Sequence, residues 1–183
     1  KAFERAALDA GIEADVAVTA WPDRIAAADR LVLPGVGAFA DCYEGLAIVP
    51  GLIDALEEAV RRRGVPFLGI CVGMQLLATR GLENRICRGL GWIPGDVTRL
   101  EPHEGEGEEA EGHVATGHYK IPHMGWNTLE SARPHPITEG IPFGSTGWHA
   151  YFVHSYAFRP RSEDATIALT DYGGAFASIV GSE

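Results

Sequence analysis

Several things are scarce in this chain. No apolar run approaches the roughly 18 to 20 residues a membrane helix needs, and the opening residues, Lys1 to Arg5, lack the apolar stretch of a secretory signal. A cytoplasmic, membrane-free protein is therefore expected. Basic residues are outnumbered, 15 Lys and Arg against 25 Asp and Glu for a net charge of −10. That balance speaks against nucleic acid or an anionic membrane as partner, since both need a basic field. Cysteine is limited to Cys42, Cys71 and Cys87, spaced 29 and 16 positions apart. An odd, wide set like this builds neither a disulfide framework nor a close-spaced zinc cage, so each cysteine is core filler or a reactive thiol.

What is present is ordinary for a folded domain. The 183 residues are 46% hydrophobic and 22% charged, enough to bury one sizeable core and well away from a disordered composition. A single domain over 1–183 is expected. Six glutamates fall within residues 101–113, which contain no Lys or Arg, so most of the acidity belongs to one Gly/Glu-rich segment. It reads as a solvated surface loop, because it has neither an apolar face nor EF-hand spacing.

The first 90 residues alternate helical and strand patterns. Ala2 to Ala10 has a helical stripe stopped by Gly11, and Ala14 to Thr19 and Leu31 to Leu33 read as strands. Leu52, Ile53, Leu56, Ala59 and Val60 share one face of a helix over Pro50 to Arg63, laced by Glu57/Arg61 and Glu58/Arg62 and ended by Gly64. Val65 to Ile70 reads as a buried strand and Val72 to Thr79 as a helix. This alternation predicts an α/β fold with a parallel sheet covered by helices. Beyond residue 90 the pattern turns β-rich: Trp92 to Leu100, His118 to Ile121, Trp126 to Glu130, Trp148 to Phe158, and a hairpin of Thr166 to Thr170 and Ala175 to Val180 across Asp171 to Gly174. An antiparallel second half of the same unit is expected.

The stretch Gly69 to Gln75 (GICVGMQ) puts Cys71 between an apolar strand and a helix, with glycines two positions away on either side. That is the spacing of a nucleophile elbow, with cysteine in the place of serine. A sharp turn forces the side chain out of the sheet. The glycines let helix and substrate approach, and the helix N-terminus favours thiolate over thiol. The N–H of Val72 is placed for a developing oxyanion. A second glycine-rich turn, Leu33 to Phe39 (LPGVGAF), follows another strand and could give a second oxyanion donor, while lacking the lysine of a phosphate loop. Cys42 and Cys87 read as structural.

These two motifs, with KIPHMGWN (Lys120 to Asn127) and YFVHSY (Tyr151 to Tyr156), resemble the class I, triad-type glutamine amidotransferases over essentially the whole chain. Within that family they are most similar to the amidotransferase subunits of imidazole glycerol phosphate synthases. Other branches usually carry proline where Val36 stands. The resemblance implies a flavodoxin-like amidotransferase fold, no cofactor and no metal. It further implies hydrolysis of glutamine to glutamate and ammonia by way of a Cys71 thioester, with the oxyanion held by backbone N–H groups of Val72 and the Val36–Gly37 turn. Gln75 and Glu83 match glutamine-binding positions, Glu83 being suited to the α-ammonium, and the backbone of Ser155 and Tyr156 would hold the other end of the substrate. The implied partner is a (β/α)8-barrel cyclase subunit, bound as a heterodimer. It would receive ammonia through a channel and form imidazole glycerol phosphate and an aminoimidazole carboxamide ribonucleotide, in histidine biosynthesis.

The chain also departs from the family pattern. The family's His and Glu lie in an H-P-E segment, and none of the seven histidines begins one, His135-Pro136 being followed by Ile137. The family also opens with a strand and a glycine-rich loop ahead of the helix that starts here at Lys1. The expectation is a polypeptide truncated at both ends, poorly stable and with negligible glutaminase activity. His123 and His154 are expected to be hydrogen-bonded structural or interface residues, because a base must reach the thiol. Trp126, Tyr151, Phe152 and Tyr156 would suit a buried interface. Two further readings remain open: another triad amidotransferase or Cys hydrolase of the same fold, or a catalytically inactive interaction subunit.

Overall fold

The computed structural model describes residues 1–103 and 119–182. The acidic segment, apart from its first three residues, and the start of the strand expected at His118 lie outside the described residues. The chain divides into two compact units, one of residues 1–31 and 46–67, the other of 32–45 and 68–183.

In the first unit, helix α1 (Ala2–Asp9) is ended as its sequence predicts, by Gly11 at φ 68°, whose N–H donates to the Leu8 carbonyl at 3.0 Å. No residue of α1 is buried, and Phe3 and Leu8 are exposed. The strand expected over Ala14 to Thr19 does not form, and Val16 and Val18 stand exposed. Its alternating pattern alone does not make a strand, because a strand's N–H and C=O groups need a neighbour to bond. Helix α2 (Pro22–Ala26) begins with proline, whose missing N–H costs nothing in a first turn. Helix α4 (Leu52–Leu56) buries Leu52, Ala55 and Leu56 and runs on as a π-helical turn, Glu57–Arg62, that buries Ala59. Its end is tied down by Arg63, whose guanidinium donates to the carbonyls of Ala26 and Ala28, and Gly64 at φ 71° turns the chain. Glu58 and Arg62 pair at 2.9 Å, as their i,i+4 spacing predicts.

Strands β1 (Leu31–Gly35) and β2 (Phe67–Cys71) form a two-stranded sheet, with helix α3 (Phe39–Ala47) following the first and helix α5 (Val72–Gln75) the second. The sequence reads β2 as buried. Instead its residues are half-buried to exposed, because this sheet has no third strand among the described residues.

The second unit is β-rich. Strands β3 (Arg80–Leu82), β4 (Ile86–Arg88), β5 (Gly95–Arg99) and β9 (Tyr156–Pro160) form a mixed sheet in the order β4-β3-β5-β9, parallel between β3 and β5 and antiparallel elsewhere. Strands β10 (Thr166–Asp171) and β11 (Ala175–Val180) make the expected hairpin, extended on one side by the short β7 (Glu130–Ser131). Strands β6 (His123–Thr128) and β8 (His149–His154) pair antiparallel, His123 opposite His154 and Trp126 opposite Tyr151. Residues 119–121, expected to be extended into a strand, carry no regular structure. Phe39, Leu76, Val97, Phe158 and Ile167 are almost fully buried. Gly81 makes room for Phe39, since a Cβ at that position would sit 2.5 Å from its ring. The outcome is an α/β fold with mixed sheets and an antiparallel second half.

Candidate active site

Cys71 lies at the junction of β2 and α5 and is exposed. Its backbone has φ 56° and ψ −121°, and it is the one non-glycine residue at positive φ among those described. A conformation that costs on the order of 1 to 3 kcal/mol persists only where its surroundings over-determine it. Here the surroundings are three glycines. A Cβ on Gly69 would lie 2.6 Å from the Gly73 carbonyl oxygen, one on Gly73 1.8 Å from the Leu33 carbonyl oxygen, and one on Gly35 2.9 Å from the Gly73 nitrogen. Backbone packed on backbone thus forces the turn that holds the thiol outward, and it brings the glycine-rich turn after β1 beside the elbow.

Helix α5 is a single turn, not the two turns expected to Thr79, because Thr79 leaves the helix and donates its N–H to the Gly95 carbonyl at 2.9 Å. One turn carries little of the aligned dipole that was expected to favour thiolate. In the glycine-rich turn, Val36 is exposed and Gly37 adopts φ 115°. The Val36 carbonyl accepts a hydrogen bond from the Cys42 thiol at 3.5 Å, so in a trans peptide the Gly37 N–H points away from Cys42. Cys42, read from sequence as core filler, is half-exposed instead and holds this turn. Burial first, then the charges of Asp41, Cys71 and Glu83, push the Cys42 thiol upward, which keeps it a donor. Cys87 is buried as expected.

Of the four residues expected to bind glutamine, the structure joins Gln75 and Tyr156 directly: Gln75 Nε2 donates to the Tyr156 carbonyl at 2.9 Å. The Tyr156 carbonyl also accepts from His154 Nδ1 at 3.0 Å, and the Ser155 carbonyl accepts from the Leu100 N–H at 2.8 Å. The carbonyls of Ser155 and Tyr156 are thus engaged internally, and among the described residues the side-chain oxygen of Gln75 has no hydrogen-bond partner. Glu83 Oε2 accepts from the Phe39 N–H at 2.7 Å, at the start of α3, and among the described residues its other carboxylate oxygen has no hydrogen-bond partner. The reach of Glu83 across 44 positions has no signal in the local sequence.

Among the described residues, no histidine is hydrogen-bonded to Cys71. His135 Nδ1 instead accepts from the Ile137 N–H, and His123 and His154 bond each other at 3.1 Å. The four aromatic residues expected at an interface divide. Trp126 and Tyr151 stand outward, edge to face with ring centroids 5.5 Å apart, whereas Phe152 and Tyr156 are half-buried. Met124 and Val153 join the outward pair, giving an exposed apolar sheet face that composition alone does not reveal.

Residues 2–183 match the family model for class-I glutamine amidotransferases. The chain is 51% identical over 180 residues to the imidazole glycerol phosphate synthase subunit HisH of Rhizobium meliloti (strain 1021), covering 98% of this chain and 78% of that protein. It is 48% identical over 183 residues to the subunit of the same name from Rhodopseudomonas palustris, covering 100% and 79%. A crystal structure of a glutamine amidotransferase superposes with a TM-score of 0.56 at 20% identity, covering 92% of this chain and 77% of that one, a likeness of fold.

Proposed function

The chain belongs to the class-I glutamine amidotransferase family, and from that premise we propose that it is the glutaminase subunit of an imidazole glycerol phosphate synthase, in histidine biosynthesis. One observation carries the chemistry: an exposed cysteine in a strained strand-to-helix turn, held there by glycines packed backbone to backbone. Residues 1–183 are read as one amidotransferase domain.

In this reading Cys71 Sγ attacks the side-chain carboxamide of glutamine. The carbonyl oxygen becomes an oxyanion held by the N–H groups of Val72 and the Val36–Gly37 turn, and collapse expels ammonia and leaves a glutamyl thioester. Water then releases glutamate and restores the thiol. The other carboxylate oxygen of Glu83 takes the α-ammonium of the substrate, the side-chain oxygen of Gln75 accepts from it, and the backbone of Ser155 and Tyr156 closes the other side. Attack by the thiol needs a general base. Among the described residues no histidine meets Cys71, and the sequence holds no H-P-E segment, so little glutaminase turnover is expected from this polypeptide by itself.

The partner is a (β/α)8 cyclase, docked as a heterodimer on the apolar face of Met124, Trp126, Tyr151 and Val153. Passing ammonia directly to it makes physical sense, because ammonia released into water at neutral pH becomes mostly ammonium, which has no lone pair for attack. The three free thiols suit a cytoplasmic setting. The test is alkylation by a glutamine-analogue electrophile in the presence of the cyclase. Stoichiometric modification of Cys71, blocked by glutamine, is the expected result. Docking without any modification would replace this reading with that of a non-catalytic interaction subunit.

A further inference from the structure

A buried polar group lies on the inner face of the β6/β8 ribbon. His123 is 3% exposed and stacked between Phe152, at 4.7 Å between ring centroids, and Tyr172, at 3.9 Å. Its Nδ1 lies 3.1 Å from His154 Nε2, its Nε2 lies 3.3 Å from Asn127 Nδ2, and His154 Nδ1 lies 3.0 Å from the Tyr156 carbonyl oxygen. Every proton in this row can be assigned. A carbonyl only accepts, so His154 carries its proton on Nδ1 and presents a lone pair at Nε2. His123 must then donate from Nδ1 and accept at Nε2. Asn127 meets that demand: its Oδ1 accepts from the Thr128 N–H at 2.8 Å, and its Nδ2 donates to the Asp171 carbonyl at 2.9 Å with a second proton for His123. The row runs one way, from Asn127 through His123 and His154 to the Tyr156 carbonyl. A second proton on either ring would face a donor, so both imidazoles are neutral. Burial pushes both in that direction, His123 down to about 4.

The Tyr156 carbonyl is where this row meets the glutamine site, because Gln75 Nε2 takes its other lone pair. We propose that His123 and His154 are positioning residues for glutamine capture: with Asn127 they form a one-way hydrogen-bond relay that fixes the Tyr156 carbonyl and, through it, the Gln75 amide. The inference rests on reading Cys71 and Gln75 as parts of a glutaminase site. It also gives the ribbon two jobs, since His123 and Asn127 alternate with the outward Met124 and Trp126 on the same strand. Loss of the relay frees the Gln75 amide to rotate, which weakens capture of the substrate while leaving the thiol's intrinsic reactivity alone.

The experiment is the concentration dependence of Cys71 alkylation by a glutamine-analogue electrophile, measured on the chain assembled with its cyclase, together with imidazole 15N spectra of the wild type. His154→Phe keeps the ring packing and removes both bonds. It should raise the half-saturating analogue concentration about tenfold with the maximal rate within about twofold. His154→Asn places an N–H near the Nδ1 position and should recover most of the loss, which a purely structural role would not. Both wild-type imidazoles should show the Nδ1–H tautomer. An Nε2–H tautomer at either ring, or equal half-saturation in His154→Phe and wild type, overturns the relay. A wild type that never labels overturns the glutaminase reading and with it the use made of the relay, and the spectra tell that failure apart from failure of the relay itself.

Discussion

Around Cys71 the groups that matter are backbone: three glycines, a carbonyl and a strained turn, with side chains excluded by contacts as close as 1.8 Å. Along β6 and β8 they are side chains: one face of the ribbon shows Met124, Trp126, Tyr151 and Val153 to solvent, and the other holds the buried His123 bonded to the half-buried His154. The elbow has one conformation that satisfies its sterics, so it is insensitive to charge and intolerant of volume. The ribbon has bonds whose direction depends on where protons sit, so it is sensitive to pH. The first kind of construction suits a nucleophile that must not move. The second suits a ribbon that leaves one face open to solvent and orders a hydrogen-bond row on the other.

That contrast can be broken in four ways. The largest effect should come from Gly73→Ala, whose new methyl would overlap the Leu33 carbonyl. A loss of about 3 kcal/mol or more in urea unfolding is expected, since backbone cannot yield as a flexible side chain does. A loss below about 1 kcal/mol would show that the corner gives way more readily than its packing implies.

Next comes acid sensitivity. A histidine held down to about 4 in the fold titrates near 6.5 when unfolded, so below 6.5 the unfolded state binds a proton that the native state refuses. The stability tied to His123 is therefore fully present above about pH 6.5 and is lost as pH falls toward 4, about 3 kcal/mol in all. Unfolding midpoints at fixed temperature across that window should show the slope, and His123→Phe should flatten it. An identical slope in that variant would place the titration elsewhere.

On the outer face, Trp126→Ala should weaken cyclase binding by about 2 kcal/mol, roughly thirtyfold in Kd by titration calorimetry, with little change in the melting temperature of the isolated chain. A large drop in melting temperature would mean that the ring supports the ribbon itself and is not held for a partner. The smallest effect should be Cys71→Gly, which abolishes alkylation yet raises stability by about 1 kcal/mol, because glycine accepts φ 56° without strain. Unchanged or lower stability would mean the turn stores no strain.

How far each region could be read from sequence follows from the same contrast. The elbow was legible because Gly69, Cys71 and Gly73 lie within five positions at a strand-to-helix junction, whereas the Leu33 and Gly35 backbone that locks Gly73 comes from another strand. Even so, the length of α5 was misread, since Thr79 is drawn away by Gly95, which no helix periodicity registers. The helix stops, hairpin and β-rich second half were legible for the same local reason. Val16 and Val18 alternate correctly and still form no strand, because pairing is a property of neighbours.

Cys42, Glu83, Gln75 and the two histidines differ in kind. Their residue types announced that they could bond; their partners lie 6, 44, 81 and 31 positions away. The sequence by itself determined where a cysteine must be strained, which spans are helix or hairpin, and, through its motifs, the family. Tertiary structure decided that Cys42 holds the Val36 carbonyl, that Glu83 meets the Phe39 N–H, that Trp126 and Tyr151 turn outward while Phe152 turns in, and that His123 and His154 bond each other. Local sterics are written in consecutive residues, whereas a hydrogen bond's direction and a ring's protonation depend on groups that only folding brings within 3 Å or so.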